Sequence, residues 1–184
     1  MKYRCLSKQF YSFRRFSLTP IRLEDRYDIM KWRNDQIYHL RQDKPLTKED
    51  QDAYFENVVV KLFGDDQPNQ ILFSFLEDNV SIGYGGLVNI NWIDKNAEIS
   101  FIMNTELEEN RFHELWLTFL ILIENVGFNS LNLHKIYTFA FDLRPHLYAI
   151  LEKAGFVLDA RLKEHCYFNS TYLDVLIHSK YSSE

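Results

Sequence analysis

The chain has 184 residues, of which 46% are hydrophobic and 26% are charged, and its formal net charge is −5 at pH 7. This length predicts one domain that is large enough to build its core without disulfide bonds or metals. The negative balance excludes a broad phosphate-binding surface of the nucleic-acid type and favours small-molecule partners.

Cysteine usage and hydropathy narrow the class of protein further. Cys5 and Cys166 lie far apart and form no ligand-spaced cluster, which predicts no metal site and a reduced, cytoplasmic setting. No apolar run reaches the roughly 18 residues of a membrane span. The richest stretch, residues 115–123, is short and is followed by Glu124. The sequence therefore predicts a soluble protein with no membrane partner.

The N-terminal part alternates between strand and helix signals. Residues 1–16 are basic and aromatic without the apolar core of a secretory signal, and we interpret them as an extension or a peripheral strand. A strand is predicted at residues 16–22, and acidic residues then open a helix that runs through Trp32. A second helix is predicted after Thr47, which forms a capping arrangement with Asp50.

The rest of the chain continues the alternation. Three strands are predicted first, at residues 70–76, 81–90 and 97–103. A helix at 111–130, a strand at 135–141, a helix at 145–154 and strands at 156–167 and 172–180 follow. This order predicts an α/β fold, with a mixed sheet that has helices on both faces.

Several short motifs share an order and spacing with a known family. They are Ile82-Gly-Tyr-Gly-Gly-Leu-Val, Ala97-Glu-Ile-Ser-Phe, Leu131-Asn-Leu-His-Lys-Ile, Leu151-Glu-Lys-Ala-Gly-Phe and Arg161-Leu-Lys-Glu-His. Together they resemble the GNAT superfamily of acyl-CoA-dependent N-acetyltransferases over residues 17–180, with residues 17–184 as the domain. The later motifs are similar to ribosomal-protein N-terminal acetyltransferases, whereas Lys31-Trp-Arg-Asn is similar to enzymes that acetylate nucleotide-linked amino sugars.

The resemblance implies a mostly antiparallel, twisted sheet and a ternary complex in which a primary amine attacks acetyl-CoA directly, without a metal. Acetyl-CoA would lie in a V-shaped split between two strands, with its pantetheine arm on the main chain of Phe101, Ile102 and Met103. Glu98 and His113, with His165 as a further candidate, are expected as the base.

The leaving thiolate and a second copy of the chain complete what the resemblance implies. Tyr148 lies one turn before the position of the family's usual tyrosine, which is Leu151 here, and is expected to donate the thiolate proton. Arg144 is expected to contact phosphate or thiolate. Family members often pair through their C-terminal strands, so a homodimer is also expected.

The segment that should bind the donor diphosphate departs from the family pattern, because no glycine lies between Gly86 and Gly127. The family motif falls on Arg111 to Trp116, where Glu114 and Trp116 replace its glycines. Three interpretations remain open. Arg111, Phe112 and His113 meet the phosphates in a remodelled loop; the donor sits differently or is another thioester; or the domain binds something else.

The acceptor pocket of the family is formed by the first helices, the loop between them and a following strand. The corresponding residues are Trp32, Arg33, Asn34, Tyr84 and Gly85. Because they combine aromatic and basic groups, the leading acceptor is an amino sugar, in particular a nucleotide-linked one. A protein N-terminus or another small amine, and a non-catalytic ligand- or partner-binding module, are the alternatives.

Overall fold

The computed structural model describes residues 1–40 and 42–182, and an eight-stranded sheet forms its centre. The strands are β1 (Tyr11–Phe13), β2 (Phe16–Pro20), β3 (Ile71–Glu77), β4 (Val80–Asn91), β5 (Asn96–Met103), β6 (Lys135–Phe141), β7 (Val157–Phe168) and β8 (Thr171–Tyr181). The helices are α1 (Arg26–Asp35), α2 (Lys48–Tyr54), α3 (Val60–Leu62), α4 (Thr105–Glu124) and α5 (Pro145–Lys153). A π-helical segment, Phe55–Val59, joins α2 to α3, and another, Asn125–Ser130, follows α4.

The spatial order of the strands is β1-β2-β3-β4-β5-β6-β8-β7. All neighbours are antiparallel except β5 and β6, which are parallel. A parallel pair needs a crossover connection, and α4 supplies it. The prediction of a mixed, mostly antiparallel α/β sheet is confirmed.

Helices cover both faces of this sheet, as the alternation along β4 shows. The Tyr84 hydroxyl accepts a hydrogen bond from Arg33 of α1 at 2.8 Å. A Cβ added at Gly85 would lie 2.8 Å from the Phe119 ring of α4. Since successive strand residues point to opposite faces, α1 and α4 pack on opposite sides.

Two glycines allow β4 to fit closely between its neighbours. A Cβ at Gly86 would lie 1.9 Å from the carbonyl oxygen of Ile71, and one at Gly85 would lie 2.2 Å from that of Ser100. No side chain can occupy either position without displacing a neighbouring strand. These glycines therefore set the spacing at the centre of the sheet.

Residues 1–16 pack against the core. Tyr3 and Leu6 are buried, and β1 pairs with β2. The Tyr3 hydroxyl donates to the Leu72 carbonyl at 2.8 Å and accepts from the Leu72 amide at 2.9 Å. The predicted peripheral strand is thus present, and the segment before it contributes to the core.

Candidate functional site

A cleft opens where β5 and β6 stop pairing. The parallel ladder ends with the pair Glu98 and Tyr137. Beyond it, residues 99–102 of β5 and 138–141 of β6 line a cavity of about 110 Å³. Beyond the last pair, residues 99–102 of β5 have no ladder partner on β6, so this wall offers hydrogen bonds to an extended ligand.

Aromatic side chains form the floor of the cleft. The Trp116 indole of α4 meets the Phe101 ring edge-on, with 5.0 Å between centroids, and only 4% of Trp116 is exposed. Trp116 thus fills space beside β5, as the loss of the family glycine predicts. Phe101 and Ile102 line the cleft. Met103 is buried, and its carbonyl oxygen accepts a hydrogen bond from Gln36 Nε2 at 2.8 Å.

Arg144, at the N-cap of α5, brings a positive charge to this floor. Its guanidinium carbon lies 5.9 Å from the ring centroids of both Phe112 and Trp116. Burial lowers the pKa of Arg144, and the nearby Glu108 and two tyrosines oppose this effect. Because the ordinary arginine pKa is far above neutrality, the side chain stays charged.

His39 lies beside this guanidinium. Its Nε2 atom lies 3.4 Å from Arg144 Nη1 and 3.3 Å from Gln36 Oε1. Burial, and then the charge of Arg144, lower the pKa of His39 to about 3. The imidazole is therefore neutral, and Nε2 can accept from Arg144 or donate to Gln36 but cannot do both.

Glu98 lies at the apex of the cleft, where the ladder ends. Its side chain is buried, and Asn89 Nδ2 donates to Glu98 Oε2 at 2.8 Å. Glu98 thus lines the cleft, and its expected role as the base stays a prediction.

Arg33 separates the cleft from a second cavity of about 230 Å³ and lines both. Tyr54, Phe55 and Tyr84 form the aromatic wall of the second cavity. The guanidinium donates to Tyr84 Oη at 2.8 Å and to Gln42 Oε1 at 3.1 Å. Interaction with Tyr84 is the main cause that raises the pKa of Arg33.

The other expected acceptor residues hold the fold in place. Trp32 is 4% exposed and lies in the hydrophobic core. The Asn34 side chain bonds both backbone groups of Leu46, which fixes the loop between α1 and α2. Gly85 is enclosed by β3 and β5. None of the three lines either cavity, so this geometry does not support acceptor contacts for them.

The expected phosphate-binding segment lies inside a helix. The prediction that the helix starts at Arg111 is wrong, because α4 begins at Thr105, with Asn104 as its N-cap. Arg111 bonds both Glu77 carboxylate oxygens at 2.8 Å and Glu114 at 2.9 Å. Helical hydrogen bonds use the amides of residues 111–116, so they form no cradle for a diphosphate.

Two expected catalytic side chains point elsewhere. His113 is exposed on α4. The Tyr148 hydroxyl donates to Asp142 Oδ1 at 2.9 Å, and Tyr148 does not line the cleft. Burial, followed by the Asp142 contact, raises the pKa of Tyr148, which makes it a weaker acid. The structure gives no support to a catalytic role for either residue.

The cleft also contains residues that the sequence did not single out. His39 and Leu40 follow α1 and close one side of the cleft. They carry no motif, and hydrogen bonds from Gln36 to Met103 of β5 and Thr105 of α4 hold the segment beside the cleft.

Among residues 1–40 and 42–182, no group of three or more His, Cys, Asp or Glu side chains is arranged to hold a metal ion. None of the helices in these ranges is both long and apolar enough to cross a bilayer.

Comparison with known proteins shows the family. The family model of the acetyltransferase (GNAT) domain matches residues 18–177. A spermidine N(1)-acetyltransferase of Vibrio cholerae is 33% identical in an alignment of 104 residues that covers 54% of this chain. The match covers 58% of that relative, so the chain spans under two thirds of its length.

Solved structures share the fold. Vibrio cholerae spermidine N-acetyltransferase in complex with CoA and spermine superimposes with a TM-score of 0.77, at 21% identity over 92% of this chain and 96% of that one. A chimeric spermidine N-acetyltransferase that includes Vibrio cholerae sequence gives 0.72 at 23% identity, over 91% and 95% of the two chains. At such identities, the likeness establishes the arrangement of strands and helices.

Proposed function

The chain belongs to the acetyltransferase (GNAT) domain family, and from this premise we propose that it transfers an acetyl group from acetyl-CoA to a primary amine of a small molecule. The observation that carries the proposal is the separation of β5 from β6 beyond Glu98. A pantetheine arm bound in that gap would meet backbone donors and acceptors of β5, and its thioester would lie near the buried Glu98 carboxylate.

The reaction requires one new bond and two proton movements. The acceptor nitrogen attacks the thioester carbonyl carbon, the carbon–sulfur bond breaks, and the thiolate takes up a proton. We assign Glu98 as the base that accepts the amine proton, directly or through water, with Asn89 fixing its carboxylate. Backbone amides of β5 stabilise the carbonyl oxygen as it becomes negative.

Arg33 favours an anionic acceptor. Among the described residues, no carboxylate forms an ion pair with this guanidinium, whose hydrogen bonds go to Tyr84 and Gln42. A fixed positive charge between the two cavities attracts a phosphate and repels a polycation. The aromatic wall of the second cavity suits a planar base. A nucleotide-linked amino sugar therefore remains the leading acceptor.

A polyamine is the second candidate, because the curated relative and the solved structures are spermidine acetyltransferases. Asp50, at the wall of the second cavity, is the acidic group that could meet an ammonium. Its carboxylate also accepts a hydrogen bond from the Thr47 amide at the start of α2, which partly offsets its negative charge.

An acceptor panel tests the proposal. Release of free CoA would be followed with acetyl-CoA and equal concentrations of a UDP-linked amino sugar, the free amino sugar and spermidine. We expect kcat/KM to be highest for the UDP-linked sugar. Glu98→Gln should lower kcat by about 10² to 10⁴, and its acetyl-CoA affinity should be unchanged.

The matched control is Glu56→Gln, which removes an exposed carboxylate outside both cavities. It should retain wild-type kcat. A preference for spermidine would establish the second candidate. If the protein neither binds acetyl-CoA nor transfers its acetyl group, the proposed acetyltransferase activity is refuted. Wild-type kcat in Glu98→Gln would remove Glu98 from the mechanism.

A further inference from the structure

Arg144 is a cation that forms no ion pair with any carboxylate in the described part of the chain. Its guanidinium faces the cleft, where it has a long contact to neutral His39 and lies over two aromatic rings. Among the described residues, no carboxylate lies within ion-pair distance of it, although Glu108 is close enough to affect its pKa. Burying a charge in this way is costly unless a counter-ion binds.

Most other arginines of the described residues are paired with carboxylates, unlike Arg144. Six of them form ion pairs with carboxylates, namely Arg4, Arg15, Arg22, Arg26, Arg111 and Arg161. Arg14 is exposed. Arg33 and Arg144 are left, and both line the same cleft. In a protein of net charge −5, the two unneutralised, partly buried guanidinium groups thus converge on one site.

The N-terminus of α4 is closed to a diphosphate. Glu106 and Glu108 lie in its first turn, and Asn104 Oδ1 accepts the Glu106 amide. Negative side chains there neutralise the helix dipole and repel another anion. Binding of a phosphate to the backbone amides at the start of α4 is therefore unfavourable.

We propose that Arg144 binds the donor phosphate next to the pantetheine arm, in place of the helix N-terminus. This inference rests on the proposed function. A guanidinium holds one phosphate through two parallel hydrogen bonds, and the 3.4 Å contact of His39 gives way to it. Donor recognition therefore depends mainly on the phosphate nearest the arm, and the rest of the nucleotide adds little.

A series of truncated donors tests this by calorimetry on the full chain. The ligands are CoA, 4′-phosphopantetheine and pantetheine. We expect wild type to bind the first two within about threefold of each other and pantetheine about tenfold to a hundredfold more weakly, as loss of a charged hydrogen-bond pair predicts. Arg144→Gln should bind all three with the weak affinity of pantetheine.

Two variants complete the design. Arg111→Gln removes the arginine at the family's motif position, and Arg4→Gln removes an exposed arginine paired with Asp66. Both should bind CoA as wild type does, with folding checked by thermal unfolding. Unchanged CoA affinity in Arg144→Gln, or a loss confined to Arg111→Gln, would overturn the inference. Failure of wild type to bind CoA at all would instead refute the acetyl-CoA donor of the proposed function.

Discussion

His39 is a buried imidazole whose neutral state contributes to stability. Its folded pKa is lowered to about 3, first by burial and then by the charge of Arg144, whereas in an unfolded chain it is about 6.5. Between these values only the unfolded chain takes up the proton. Stability is therefore lost as pH falls through this window.

We predict that His39→Gln abolishes part of this pH dependence. Between pH 7 and pH 5, wild type should lose about 2 kcal/mol more free energy of unfolding than the variant, because glutamine does not titrate. Urea unfolding at both pH values measures the difference. His113→Gln, which changes an exposed histidine, should follow wild type. Parallel pH curves for wild type and His39→Gln would contradict the prediction.

At the same scale, the sequence predicted some cleft residues and missed others. Glu98, Phe101 and Arg144 were identified because the resemblance to the family assigned sites to β5 and to the start of α5, and the sequence signals located both elements. His39 was missed because it follows the end of α1, where no periodicity applies. Its position depends on a long-range bond from Gln36 to Met103, which only the folded chain reveals.

Helix α4 illustrates how a family pattern misplaces an element boundary. Its first turn contains glutamates and a leucine, which are good helix formers, and Asn104 is a favourable N-cap. The apolar periodicity begins only near Phe112, and the family's glycines fall at residues 114 and 116, so both signals suggested a later start. Local propensity, in the absence of glycine, gives the longer helix.

Arg111 connects α4 to the end of β3, so we expect loss of its side chain to weaken the packing of α4 on the sheet. The Glu77 side chain is 14% exposed and receives two hydrogen bonds from Arg111 and an ion pair from Arg15. We predict that Arg111→Gln lowers the free energy of unfolding by about 1 to 2 kcal/mol, because a partly buried charged pair is broken.

Denaturant unfolding at several pH values measures this loss. Arg111 lowers the pKa of Glu77, so the stabilisation is present above the ordinary glutamate pKa and disappears as pH falls through the lower folded value. The gap between wild type and variant should therefore close in acid. Arg4→Gln breaks an exposed pair and should cost less than about 0.5 kcal/mol. An equal loss in the two variants would contradict the argument.

For the whole molecule, the sequence predicted the sheet and its helices but assigned the N-terminus too small a part. The order of strands and helices is readable because each has its own hydrophobic period. Residues 1–10 have no such period. Their burial comes from single anchors such as Tyr3, whose ring stacks on Phe63 with 4.4 Å between centroids. Such anchors depend on a partner distant in sequence, so the sequence alone does not predict them.

The Tyr3 hydroxyl gives a direct test that this segment belongs to the cooperative core. In Tyr3→Phe the buried Leu72 amide loses its acceptor, while the Leu72 carbonyl keeps the Ile21 amide at 3.0 Å. We predict a loss of about 1 to 3 kcal/mol in the free energy of unfolding, with an unchanged denaturant slope. Tyr181→Phe, at a residue that is 44% exposed, should lie within about 0.5 kcal/mol of wild type. If Tyr3→Phe were equally silent, the first ten residues would be peripheral to the unfolding transition.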